Sequence, residues 1–137
     1  MRKLDNIGFI LCKYQRDLFE YSTDHLTCSS RVFIKSFCQS QLAKYMDKDS
    51  FIMTSIDIPE AVNMLKKEKT LSSGSIKFNK KIIGWIGYLY RYWSYTRQLS
   101  TKAVYKKVNP ILLAGVYEAY HSLDVEEAVR RLEETTI

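Results

Sequence analysis

A chain of 137 residues with 46% hydrophobic content can bury one sizeable core and leaves no call for a second domain. Only two prolines and five glycines interrupt apolar residues that recur at helical spacing, which sets strand-rich architectures aside. Three cysteines, odd in number and without CxxC spacing, exclude a disulfide framework and a zinc site, while the longest apolar run, Ile82 to Tyr90, falls far short of the roughly 20 residues that cross a bilayer.

These limits define the expectation: a compact all-α, multi-helix single domain over residues 1–137, with no metal and no cofactor. No segment near Met1 has the basic start, apolar run and cleavage site of a secretory signal, so a cytoplasmic protein is expected. The net charge of +6 is unevenly spread. Lys66, Lys67, Lys69, Lys77, Lys80, Lys81, Arg91, Arg97, Lys102, Lys106 and Lys107 crowd the middle, where Glu68 is the lone acid. Glu118, Asp124, Glu126, Glu127, Glu133 and Glu134 make the C-terminal end acidic. A basic middle attracts nucleic acid or an acidic protein surface, unless it is simply a solvated face.

In chain order, Leu4, Ile7, Leu11, Tyr14, Leu18 and Tyr21 predict an amphipathic helix from Lys3 to about Tyr21, closed by turn residues Ser22, Thr23 and Asp24. Ser29 or Ser30 should cap a second helix with Val32, Phe33, Phe37 and Leu42 inward, and Ser40 is a place where it can restart at a new angle. Asp47 to Ser50 breaks the pattern; Ile52, Thr54, Ile56 and Ile58 then alternate like a short strand, while a continuing helix over Phe51 to Ile58 fits equally and is the reading adopted. Pro59 then opens a helix burying Val62 and Leu65 and ending in Lys66, Lys67 and Lys69, whose charge suits a carbonyl end. Residues 70–79, rich in serine with Gly74, are the expected exposed loop and first proteolytic site.

Residues 80–99 form the densest apolar and aromatic block and are expected to be the central helix. Ile82, Ile86, Leu89, Trp93 and Thr96 make one stripe; Trp85, Tyr88, Tyr92 and Tyr95 make a second beside it. Gly84 and Gly87 each cost this helix roughly 1 kcal/mol relative to alanine, which close approach of another helix backbone would offset. Ser100 or Thr101 should cap a short helix through Lys107 with Val104 inward, and Asn109–Pro110 should start one that buries Leu112, Leu113, Val116, Tyr117 and Tyr120. Asp124 with Glu127 three residues on suggests a capping box for a last helix docked by Ala128, Val129 and Leu132.

No motif names a reaction, and the expectation is a non-enzymatic protein. His25 and His121 lack ligand-spaced partners, although Asp124, one turn on, could orient His121. The interleaved aromatic and basic residues of the middle carry more. Tyrosine, tryptophan and arginine suit binding hot spots, because they join large contact area to a polar end. Tyr88, Arg91, Tyr92 and Tyr95 are therefore the expected partner-binding anchors, with Lys102 and Lys106 steering an acidic partner. The same composition suits nucleic acid, where rings stack and cations neutralise phosphates. On that alternative, a DNA-binding regulator would use the turn at Gln98–Ser100 and present Thr101, Lys102, Tyr105 and Lys106 to a groove.

Two stretches carry a resemblance. Ser29, Ser30, Phe33, Ile34 and Phe37, then Trp85 to Tyr88 and Tyr90 to Trp93, then Ser100, Lys102 and Tyr105, and finally His121, Asp124, Glu126 and Ala128 resemble a family of small helical bacterial proteins with a WIGYxYRYW motif. Its members are encoded beside toxin genes, including ADP-ribosyltransferase-like ones, in toxin–antitoxin or phage-defence arrangements. The resemblance implies an antitoxin-like protein that neutralises or regulates a cognate toxin, and carries over no catalytic residue. A homodimer is a further expectation for so aromatic a helical domain.

Overall fold

The structure, a computed structural model, describes residues 1–49 and 55–135. Among them lie eight helices and no strand: α1 (Asn6–His25), α2 (Ser30–Cys38), α3 (Gln41–Asp47), α4 (Ile58–Glu68), α5 (Lys80–Arg97), α6 (Thr101–Lys107), α7 (Pro110–Tyr120) and α8 (Val125–Thr135). The helix expected over 51–58 lies largely outside the described residues. No described helix is long and apolar enough to cross a membrane.

Side chains start these helices as the sequence suggests. Ser29, Ser100 and Asn109 accept from the amides of Val32, Ala103 and Leu112, and Ser40 restarts the chain by accepting from Ala43 while donating to the Phe37 carbonyl. Asp57 was not foreseen: its carboxylate caps α4, which begins at Ile58, one residue ahead of Pro59. Nor does α1 stop at Tyr21. Ser22 and Thr23 donate their hydroxyls to the carbonyls of Phe19 and Glu20, at 2.6 and 2.8 Å, so residues that often form turns are satisfied inside the helix and it runs on to His25. Before α8, Asp124 accepts from the Glu126 amide, but Glu127 turns outward to Arg131 instead of closing the box.

The centre is an antiparallel crossing of α1 and α5. Gly8 lies under Tyr95, Gly87 against Phe19 and the Gln15 carbonyl, and Gly84 under Glu20; a Cβ at any of these glycines would come within 3 Å of its neighbour. Gly87 thus makes the expected close approach to the backbone of the neighbouring helix, whereas Gly84 meets only the flexible Glu20 side chain. Gln15, fully buried, donates to the Gly87 carbonyl at 3.0 Å. Phe33 and Phe37 of α2 set their rings edge-on against Phe19, each at 5.2 Å between centroids. Ala128, Val129 and Leu132 dock α8, and the three cysteines are buried free thiols, with burial raising the pKa of each.

Residues 69–79 run without helix as a strap over the α1–α2 junction. Gly74 donates to the Thr27 carbonyl, Ser30 to that of Ile76, and Phe78 to the Ser30 hydroxyl, while Cys28 and Ser73 form an antiparallel bridge. The Lys77 ammonium reaches the carbonyls of Ser22, Thr23 and Leu26, so a lysine far along the chain closes the carbonyl end of α1.

One expected inward face is corrected. On α7 only Pro110 and Leu113 are buried; Val116, Tyr117 and Tyr120 are half-buried, and Leu112 stands 40% exposed beside Ile111 at 50%. With Glu118 as its single charge, this helix has no polar side to turn outward, so part of its apolar surface faces solvent.

Candidate partner-binding surface

The residues expected to share an outer aromatic and basic face divide between core and surface. Arg91 is 1% exposed, Tyr92 8% and Tyr95 4%. Their polar ends are taken up internally. Tyr92 donates to Glu126 at 2.8 Å and Tyr95 to Asp5 at 2.6 Å; burial, then these bonds to carboxylates, raise both phenol pKa values, that of Tyr95 to about 12. Tyr88 is half-buried. The shared outer face is therefore corrected, and only Lys102 and Lys106 of the set are freely exposed.

Arg91 organises the buried polar centre of the molecule. Its Nε donates to Gln15 at 2.9 Å, one terminal nitrogen to Asp47 at 2.8 Å, and the other to the Thr101 hydroxyl at 2.7 Å. Asp47 accepts in turn from the amide and hydroxyl of Thr101, placing a carboxylate at the start of α6. One guanidinium so links α1, α3, α5 and α6. A cleft of about 290 Å³ opens beside it, yet its cations are matched within the chain, Arg91 by Asp47 and Arg2 by Asp49 at 2.7 Å. Thr101, expected to read a DNA groove, is held in this network and cannot reach out.

A different surface lies where α2, the strap and α6 meet. A groove of about 360 Å³ is lined by Ser29, Arg31, Val32, Lys35, Ile76 and Tyr105, and a smaller pocket of about 130 Å³ shares Arg31 and Tyr105 with it and extends to Pro110 and Ile111. Its apolar lining is Val32 and Tyr105, both half-buried, and Ile76, 76% exposed; burial raises the Tyr105 pKa. Its rim is cationic. Arg31 and Lys35 stand one turn apart on α2, where like charges repel by about 0.2–0.5 kcal/mol. Lys102 and Lys106 follow the same side of α6 as Tyr105, by helical spacing. None of the four has an ion-pair partner among the described residues.

Sequence reasoning missed Arg31, Lys35 and Ile76. The signals were there in weak form: two cations at i and i+4 with no acid between, and a lone large apolar residue in a serine-rich loop.

The histidines lie elsewhere. His25 stacks on Tyr21 at 3.7 Å and His121 on Tyr117 at 4.3 Å, and each Nδ1 meets the carbonyl of the same tyrosine and so carries the proton there. His121 thus bonds Tyr117 rather than Asp124. Among the described residues no group of His, Cys, Asp and Glu could hold a metal ion. No family model, no curated protein and no solved structure matches the chain.

Proposed function

We propose that the protein acts by binding another protein, docking an acidic segment with apolar anchors into the groove formed by Arg31, Val32, Lys35, Ile76 and Tyr105, with Lys102 and Lys106 steering its approach. The observation that carries this reading is the pairing of exposed apolar surface with cations that have no ion-pair partner among the described residues. Apolar lining supplies area for a few well-packed anchors, and basic residues beside it favour acidic partners and speed encounter. In its antitoxin-like form, which adds the family resemblance, the partner is a cognate toxin-like protein, such as an ADP-ribosyltransferase-like one, whose active cleft is occluded. No reaction is assigned to the chain itself.

The DNA-binding alternative draws on the same cations but less on the geometry: α6 has seven residues, and its first side chain, Thr101, is internally bonded.

Co-expression with the protein encoded beside it, followed by mass determination of the purified complex, tests the proposal. A stable complex is expected with wild type and with Tyr92→Phe, and loss of it with the Arg31→Glu, Lys35→Glu double variant. No complex, or one indifferent to that double variant, overturns it; selective binding of the chain's own upstream DNA over random duplex establishes the regulator instead.

A further inference from the structure

Ile76 is the most exposed apolar residue of the groove, and its own side chain does not hold it there. At 76% exposure it gains little from leaving water. The backbone around it is fixed instead. The Ile76 carbonyl accepts from the Ser30 amide at 3.1 Å, and the Phe78 amide donates to the Ser30 hydroxyl at 2.9 Å. Ser30 is the first residue of α2, where a helix offers the amide no acceptor of its own, so the Ile76 carbonyl fills that gap. Earlier in the strap, Gly74 donates to the Thr27 carbonyl at 3.0 Å, and a Cβ on Gly74 would stand 3.2 Å from that of Ser29, itself a groove residue.

Lys77, next in the chain, reaches away to α1. Its ammonium meets the carbonyls of Ser22 at 3.3 Å, of Thr23 at 3.1 Å and of Leu26. An ammonium has three donors, and three carbonyls converge on this one; bonds from a charged donor are stronger than those between neutral groups. One residue therefore ties the strap to the end of α1, and its neighbour faces the groove.

We infer that Lys77 is a positioning residue for the groove: its bonds to the end of α1 hold the strap, and the strap, through the bond from Ser30, sets Ile76 in the groove wall. The groove is complete only while Lys77 is docked. The placement of Ile76 concerns the chain alone, whereas its effect on binding rests on the function proposed above.

Amide hydrogen exchange of the full chain tests the placement without a partner. Lys77→Gln, shorter and uncharged, should speed exchange at Ser30, Gly74 and Phe78 by about tenfold or more, while amides in the middle of α5 keep their wild-type rates. Lys77→Arg, which keeps the charge and the reach, should restore slow exchange. Faster exchange confined to the last turn of α1 would make Lys77 a helix cap and nothing more, and an equal rise throughout α5 would make it a general stabiliser. Either result, or unchanged rates at Ser30, overturns the inference.

Affinity for the protein encoded beside the chain reads the consequence. Ile76→Ala and Lys77→Gln should each weaken that complex by about tenfold, and the double variant should be no weaker than either, because both remove the same contact. Losses that instead multiply to about a hundredfold, or full affinity in Lys77→Gln, overturn the link between latch and groove. A wild-type chain that forms no complex counts against the proposed function alone, and exchange at Ser30 still decides the placement.

Discussion

Arg91 and Arg31 are the same side chain in opposite circumstances. Arg91 is buried and donates hydrogen bonds to Gln15, Asp47 and Thr101, so its charge is used up in joining four helices. Arg97 is treated likewise, held by Glu126 and Glu133 of α8 at 2.6 and 2.8 Å. Arg31 and Lys35 line a groove with exposed Ile76 and half-buried Tyr105, and neither they nor Lys102 and Lys106 of α6 have an ion-pair partner among the described residues. The difference teaches where to look for a partner in an all-α protein: a cation matched inside the chain is architecture, and a cation left unmatched beside apolar surface is available to something else.

The comparison breaks most visibly at Arg91. Arg91→Ala leaves Asp47 without its guanidinium, and stability should fall by about 3–5 kcal/mol in urea titration, as for other broken buried pairs. Arg31→Ala, by contrast, should stay within about 0.5 kcal/mol of wild type. Equal losses would mean that burial does not separate the two regions. Glycines offer a second contrast. Gly87→Ala forces a Cβ against Phe19 and the Gln15 carbonyl and should cost about 1–3 kcal/mol. Gly115→Ala should stabilise the helix by up to about 1 kcal/mol. A smaller effect comes from acid. The Arg97 hydrogen bond, and that from Tyr92, hold the Glu126 carboxyl below its ordinary pKa, and Tyr95 and the Gly8 amide do the same for Asp5. A folded pKa below the unfolded one means stability that is present above the ordinary carboxylate range, around 4, and is lost as pH falls through the folded values. Urea midpoints should therefore drop below pH 4, and Glu126→Gln should flatten that drop. An unchanged slope in the variant would remove Glu126 from the acid transition.

Much of the fold was legible because helices advertise themselves locally. Caps at Ser29, Ser100 and Asn109, the stripes of α1 and α5, and the close-approach glycines all follow from residues a few positions apart. The site was less legible. The string YRYW reads equally well as interface or core, since the partners that bury Arg91 come from α1, α3 and α6 and no local spacing reveals them. The inward side of α7 was hidden for the opposite reason: a helix that is apolar nearly all round gives periodicity nothing to contrast. The strap looked loose because Lys77 finds its acceptors 51 to 55 residues upstream.

The antiparallel crossing also bears on the order in which the chain is made. Gln15 waits for Gly87, 72 residues later, and the carbonyl end of α1 waits for Lys77. Until those residues leave the ribosome, Gln15 and the last carbonyls of α1 lack their native partners, and only Phe33 and Phe37 of α2 are there to cover Phe19. Closure of so wide a loop costs entropy before any contact repays it, so assembly of the α1–α5 pair is expected to come late in folding. During synthesis, then, the half-made chain must be held by other means or stay unfolded until α5 arrives.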